Sequence, residues 1–457
     1  MSSSPKAKPS LTNDEIKPTL IAMTLPMLVG MITLMTFNLV DTFFISMLGT
    51  EQLAAISFTF PVSFSLISLA IGLSIGTSAV IAKALGAGQL TEARTDGLVA
   101  LCLSVVMVII LASAGFAFTD TLFGAMGATS TILLYIRQYM DIWFAGAVLL
   151  VLPMIGNAIL RAAGDTKTPS IIMAGSGLVN AILDPILIFG WGGIPAMGMQ
   201  GAALATLISW LFGSVLIVYL LVRRDLISTR WIPVQQLVKV CRKILRIGLP
   251  AAGANMLTPL AMAVLTAMMA SYGAAAVAAF GVGARLESIA CLVVLALSMT
   301  LPPFVSQNFG AGQLSRVQQA YRMCGYFVMQ WQFAVYVLMA VLALPLARLF
   351  SDEAMVVNII CQFIWIVPLA YGLQGITILT NSSFNALHRP ASALLLSIIR
   401  LFVLYVPLAW LGGHLFGIAG VFVGCVIANV ITAAIAWSWF NQTVQRAAAM
   451  NAAQETI

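Results

Sequence analysis

Twelve stretches of about 20 or more mostly apolar residues dominate this chain, and each is long enough to cross a bilayer as a helix. They run 18–46, 52–82, 95–118, 131–160, 170–191, 199–222, 244–270, 276–307, 317–347, 355–386, 391–411 and 417–441. Hydrophobic residues make up 61% of the 457 positions and charged residues only 8%, about a third of the share in a soluble domain. Too little polar surface exists to cover a water-soluble core. That excludes an ordinary cytosolic enzyme, a secreted disulfide scaffold and a disordered chain. No period-two alternation runs along the stretches, which excludes a β-barrel. The sequence predicts an all-α membrane protein of twelve transmembrane helices. The first stretch exceeds a signal peptide's apolar core and reads as a retained span.

Charge placement predicts the orientation. With the N-terminus inside, 18 of the 22 Lys and Arg residues fall on inner segments. Outer segments hold Arg137 and Arg348, and Arg285 and Arg400 lie within spans. This bias predicts both termini in the cytoplasm. It also explains the net charge of +7: the basic residues are scattered over inner loops without interleaved aromatics, so no nucleic-acid partner is expected. Six cysteines lie in or beside apolar stretches with no Cys-x-x-Cys pair, and two histidines stand apart. Neither a metal nor a disulfide framework is expected.

The chain repeats itself. At an offset of 224, Leu25-Pro26 falls on Leu249-Pro250 and Leu73-Ser74 on Leu297-Ser298. The run Gly86-Ala87-Gly88-Gln89-Leu90 falls on Gly310-Ala311-Gly312-Gln313-Leu314. From residue 25 to 90 no gap is needed, and 14 of 66 positions are identical. Asn157 then falls on Asn381. Each repeat holds six spans, an even number, so both halves enter the membrane in the same direction. Two six-helix lobes related by a pseudo-two-fold axis along the membrane normal follow, a plan suited to alternating access. The expected organisation is an N-terminal tail 1–17, an N-lobe 18–222, an inter-lobe linker 223–243, a C-lobe 244–441 and a C-terminal tail 442–457, with tails and linker cytoplasmic.

An ionisable side chain in hydrocarbon is a functional hypothesis by default. Asp41, Asp141, Asp184 and Glu287 fall within spans. Asp41 and Asp184 sit at similar depth in the outer half of spans one and five, within one lobe. Asn38 precedes Asp41 by three residues and Asn180 precedes Asp184 by four, so each shares its acid's helix face. Tyr139 and Asn157 in span four complete a candidate polar pocket. A desolvated acid beside a second acid can exchange a proton near neutral pH. Neither acid is duplicated: Asp41 falls on Leu265, and Asp184 near Val406. Arg137 and Asp141 stand four apart and predict a structural pair. Arg285, two residues before Glu287, predicts a structural ion pair or local polar network. Pro26 in span one removes a helical hydrogen bond and predicts a possible bend. No phosphate-binding Gly-x-x-x-x-Gly-Lys-Ser/Thr run occurs, so the driving force should come from an ion gradient or from the substrate rather than from ATP. Methionines and phenylalanines offer deformable walls for varied apolar ligands.

The sequence resembles the multidrug and toxic compound extrusion (MATE) family across nearly its whole length. The resemblance is carried by the two six-span lobes, a Leu-Pro opening each lobe, Val40-Asp41-Thr42, the Gly-Ala-Gly inner loops, the run from Asn157 to Pro169, and Leu183-Asp184-Pro185. It looks most like the DinF-like prokaryotic branch. The resemblance implies a proton-coupled antiporter of amphipathic or cationic drugs in the bacterial inner membrane, acting as a monomer among lipids without a cofactor. It further implies coupling acids at Asp41 and Asp184, a network of Asn38, Tyr139, Asn157 and Asn180, and a helix-one bend at Pro26. The sodium-coupled branch uses acids in the seventh and tenth helices. Neither helix has one here, and Asn255 stands in span seven, which favours protons while leaving sodium coupling as the alternative. A lipid or lipid-linked sugar flippase is a second alternative, although it should show a strongly cationic cavity. An intramembrane enzyme would need a nucleophile–base or metal constellation, and none is visible.

Overall fold

The structure is a computed structural model that describes residues 11–191, 193–228 and 232–455. The described residues are helical or in short turns, as a chain in lipid requires, because a helix satisfies every backbone polar group within its own segment. The helices are α1 (Ile16–Ser46), α2 (Thr50–Gly86), α3 (Leu90–Ala117), α4 (Thr119–Ala125), α5 (Ser130–Ala145), α6 (Ala147–Ala162), α7 (Lys167–Phe189) and α8 (Gly198–Arg223). Then come α9 (Val234–Ala270), α10 (Ala274–Ala290), α11 (Leu292–Gly310), α12 (Leu314–Val341), α13 (Ala343–Phe350), α14 (Ala354–Ile366), α15 (Tyr371–Ala386), α16 (Pro390–Ile398) and α17 (Val406–Glu455).

Ten helical stretches are long and apolar enough to span a membrane, and eleven when the pair α5 and α6, bent by 49°, counts as one. The stretch Pro390–Met450 is 61 residues long and breaks at Phe416 and Gly417, where Gly417 has φ 62°. That break falls between the last two expected spans, which restores the count of twelve. Expected spans four, eight and ten are not single helices. They are α5 with α6, α10 with α11, and α14 with α15 joined by the 3₁₀ turn Val367–Ala370. Apolar runs do not record such breaks.

Two compact units emerge, one built on residues 21–252 and one on 253–457 together with Leu11–Leu20. The first unit therefore holds the beginning of α9. There, a Cβ added to Gly72 would lie 2.3 Å from the Gly248 carbonyl oxygen, so α2 and α9 touch backbone to backbone. Lys243 of α9 also pairs with Glu92 of α3. In the second unit, Leu11 is buried. Asn308 Nδ2 donates to the Leu11 carbonyl at 3.0 Å, and Arg316 Nη2 donates to the Asp14 carbonyl at 2.6 Å.

The repeat is visible in the turns. Gly88 and Gly312 have φ 75° and 74°, and each closes the same hairpin, with the Gln89 and Gln313 amides donating to the Ala84 and Asn308 carbonyls. At the next inner turn Gly164 has φ 82°, while its repeat partner His388 holds φ 58°, a region that disfavours a residue with a Cβ.

Candidate functional site

Spans one, four, five and six bring their polar residues together in the first unit. The carboxyls of Asp41 on α1 and Asp184 on α7 lie side by side, close enough to interact directly. Asp184 is 0% exposed and Asp41 half-buried. Two ionised carboxylates are both pure acceptors, so a hydrogen bond can join them only when one of them carries a proton. A pair so placed has the chemistry to hold one proton between two carboxyls, and any bond between them is lost when that proton leaves.

Neighbours orient the pair. Asn180 Nδ2 donates to Asp184 Oδ1 at 3.3 Å and approaches Thr206 Oγ1 on α8 at 3.5 Å. The Tyr139 hydroxyl on α5 also lies beside Thr206, and both acids lie within Coulombic range of it. Thr206 thus joins two residues expected in the network, yet sequence reasoning passed over it. A lone threonine in an apolar span gives no signal, because its hydroxyl usually bonds its own helix. One oxygen of each acid, Asp41 Oδ1 and Asp184 Oδ2, has no protein partner.

Two of the expected network residues do not join this hydrogen-bonded group. Asn157 is buried with its side-chain carbonyl unpartnered, and among the described residues no hydrogen bond links it to the pair. The side chain of Asn38 lies outside the described residues. Pro26 sits inside α1, which is one helix from Ile16 to Ser46.

The remaining acids have other surroundings. Of the two expectations for Glu287, the ion pair with Arg285 does not form, since Arg285 is exposed, while a local polar network does: Glu287 Oε1 accepts from Gln374 Nε2 at 2.7 Å. Residues two apart on a helix point in different directions, and Glu287 turns inward toward α15. Arg400, carried by the π-helical turn Ile399–Tyr405, lies within Coulombic range of it. Arg137 does face Asp141, at 4.0 Å, but its tighter partner is Asp120, which Nε reaches at 2.7 Å. Asp96 is 1% exposed with both oxygens unpartnered. It lies two residues inside the expected third span, so the rule that flagged the other acids should have flagged it as well.

Comparisons with known proteins follow the same outline. The MatE family model matches residues 26–186 and 250–411, two matches that begin on Pro26 and Pro250. The chain is 42% identical over 427 residues to a protein of Shewanella oneidensis named FAD transporter, covering 93% of this chain and 94% of that one. It is 24% identical to a probable multidrug resistance protein NorM of Thermotoga maritima, over 91% and 90% of the two chains. The crystal structure of the Vibrio cholerae MATE transporter VcmN in the bent form superposes with TM-score 0.90 at 34% identity, covering 94% of this chain and 98% of that one. With two matching halves, the same all-helical fold and a relative this similar along nearly its whole length, the chain belongs to the MatE family of MATE transporters.

Proposed function

We propose that this chain is a proton-coupled secondary transporter that exports flavin adenine dinucleotide or a close relative of it. The coupling is supported by one observation: the carboxyls of Asp41 and Asp184 lie side by side, where a hydrogen bond between them requires a proton. Asp184 is sealed from solvent, whereas Asp41 is half-buried, so the proton enters and leaves through Asp41. Loss of the proton places two negative charges side by side in a low-dielectric site, which forces them apart. Movement of α1 against α7 is the response to that repulsion.

The substrate assignment is supported by the contrast among relatives. The FAD transporter is 42% identical, whereas proteins named for multidrug export stand at 24–28%. Proteoliposomes holding the full chain, with FAD on the cytoplasmic-face side and an imposed pH gradient, test both parts. Gradient-dependent FAD movement is expected, and none should follow from a sodium gradient alone. A second reading, export of cationic amphipathic drugs, is favoured by the carboxyl pair itself, since deprotonated acids attract cations. In that reading ethidium-like dyes compete with the proton at Asp41, and FAD is not moved. Both readings have the protein in the bacterial inner membrane, and the loop charges support cytoplasmic termini.

A further inference from the structure

Arg161, near the inner end of α6, is a buried cation with no counter-charge. It is 8% exposed, and among the described residues no carboxylate pairs with it or lies within Coulombic range. One hydrogen bond is made by its guanidinium, from Nη2 to Ser74 Oγ on α2 at 3.2 Å. A guanidinium has five N–H donors in a rigid fork. A charged group this deep is normally paired.

The usual explanation of a basic residue in a helix's last turn is that it caps the final carbonyls. Geometry argues against it here. Helical side chains lean toward the N-terminus, and the Ser74 hydroxyl that Arg161 reaches is itself bonded to the Met154 carbonyl, at 3.4 Å. Met154 lies seven residues earlier, roughly 10 Å up the axis. The guanidinium therefore points away from the C-terminal carbonyls and into the lobe. Two more buried polar groups lie on the same faces. Asn157, one turn before Arg161, is 6% exposed with its carbonyl oxygen unpartnered. Thr77, one turn beyond Ser74 on α2, is 0% exposed and its hydroxyl has no partner. The repeat supplies a control: Arg161 falls on Asn385 and Thr77 on Leu301, so the six-helix lobe packs without this cation and hydroxyl.

The geometry points to an oxyanion site in the N-lobe interior, in which the Arg161 fork and the hydroxyls of Ser74 and Thr77 hold a phosphate group, with the Asn157 amide beside them. A planar guanidinium matches a phosphate bidentately, the unpartnered Thr77 hydroxyl donates to a remaining oxygen, and Ser74 can do so by giving up its long 3.4 Å bond to the Met154 carbonyl. The phosphate has two possible sources, the pyrophosphate of a dinucleotide substrate or free inorganic phosphate. The first rests on the substrate reading above, and it gives an anionic cargo the cationic partner that the acid pair cannot provide.

Two measurements on the full-length protein decide this. The first is thermal unfolding in detergent with increasing inorganic phosphate at constant ionic strength. Wild type should be stabilised by phosphate, and Arg161→Gln should lose the shift. If Arg161→Gln does not fold, Thr77→Val serves instead. Valine keeps the shape and removes only an unpartnered hydroxyl, so the fold should be unharmed while the phosphate shift shrinks. The second is export of FAD and of riboflavin, which shares the ring system and lacks phosphate. In Arg161→Gln or Arg161→Lys the FAD-to-riboflavin ratio should fall about tenfold or more. A lost phosphate shift with an unchanged ratio assigns the site to free phosphate. A wild type that moves no FAD but keeps the Arg161-dependent shift removes the substrate reading and leaves the site standing. A wild type indifferent to phosphate, or variants that respond to phosphate as wild type does, overturn it.

Discussion

Asp41 on α1 and Asp184 on α7 bring their carboxyls side by side, and a hydrogen bond can join them only while one carries a proton. The two acids come from spans more than a hundred residues apart, and the repeat duplicates neither of them. Asp41→Asn and Asp184→Asn mimic the protonated pair permanently. Each should cut proton-driven export at least about tenfold, or about 1.4 kcal/mol, while the protein still inserts and folds. Transport rates in proteoliposomes check this. Export by Asp41→Asn at the wild-type rate would remove Asp41 from the coupling.

Thr206 makes a narrower claim. Its hydroxyl meets both Asn180 and Tyr139. Thr206→Val keeps the shape and deletes the bridge, so Asn180 is less firmly held against Asp184. The pH at which export is half-maximal should shift, with a much smaller change in the maximal rate than in Asp41→Asn. A full pH–rate profile of both variants distinguishes them.

At the inner turn before α7, Asp165 receives the Thr168 amide at 3.0 Å and the Thr168 hydroxyl at 2.6 Å, and pairs with Arg224. Burial pushes its carboxyl up, but Thr168 and Arg224 outweigh burial and hold it below the ordinary aspartate value of 3.8. A depressed value means the folded state favours the ionised form. Its contribution is therefore present above about pH 4 and lost as pH falls through the folded value. Asp165→Asn should lower stability by roughly 1–3 kcal/mol at neutral pH, with the difference from wild type shrinking in acid. Thermal unfolding at pH 7 and near pH 3 reads both.

Gly72 tests the packing of α9. A Cβ there would meet the Gly248 carbonyl oxygen at 2.3 Å and the Ala252 amide nitrogen at 2.7 Å, neither of which can rotate away. Gly72→Ala should cost about 1–3 kcal/mol. Gly281→Ala is the comparison, since nothing lies within 4 Å of its Cβ position, and it should be close to neutral. Melting temperatures of the two variants measure the contrast.

Much of this was legible in the residues, and the exceptions have physical reasons. Span number, the repeat and the acid pair follow from apolar length, from the offset of 224 and from the cost of charge in hydrocarbon. The breaks at Cys291 and at Val367–Ala370 were not legible, because an apolar helix and an apolar bend share one composition. Nor was the partner of Glu287, since Gln374 is 87 residues away and only tertiary packing brings the two together. By position in the sequence, Arg161 counts as one more of the inner-segment charges. Its proximity to the end of α6 suggested the interface, and only the direction of its side chain shows that it points inward.

The central claim is that one proton held between Asp41 and Asp184 is exchanged for cargo. Counting protons tests it most directly: wild-type proteoliposomes are given FAD, and proton flux and FAD flux are recorded together at several pH values. The account predicts proton entry that tracks FAD export and disappears in Asp41→Asn. FAD export without accompanying proton movement, or proton flux that persists in Asp41→Asn, would contradict it.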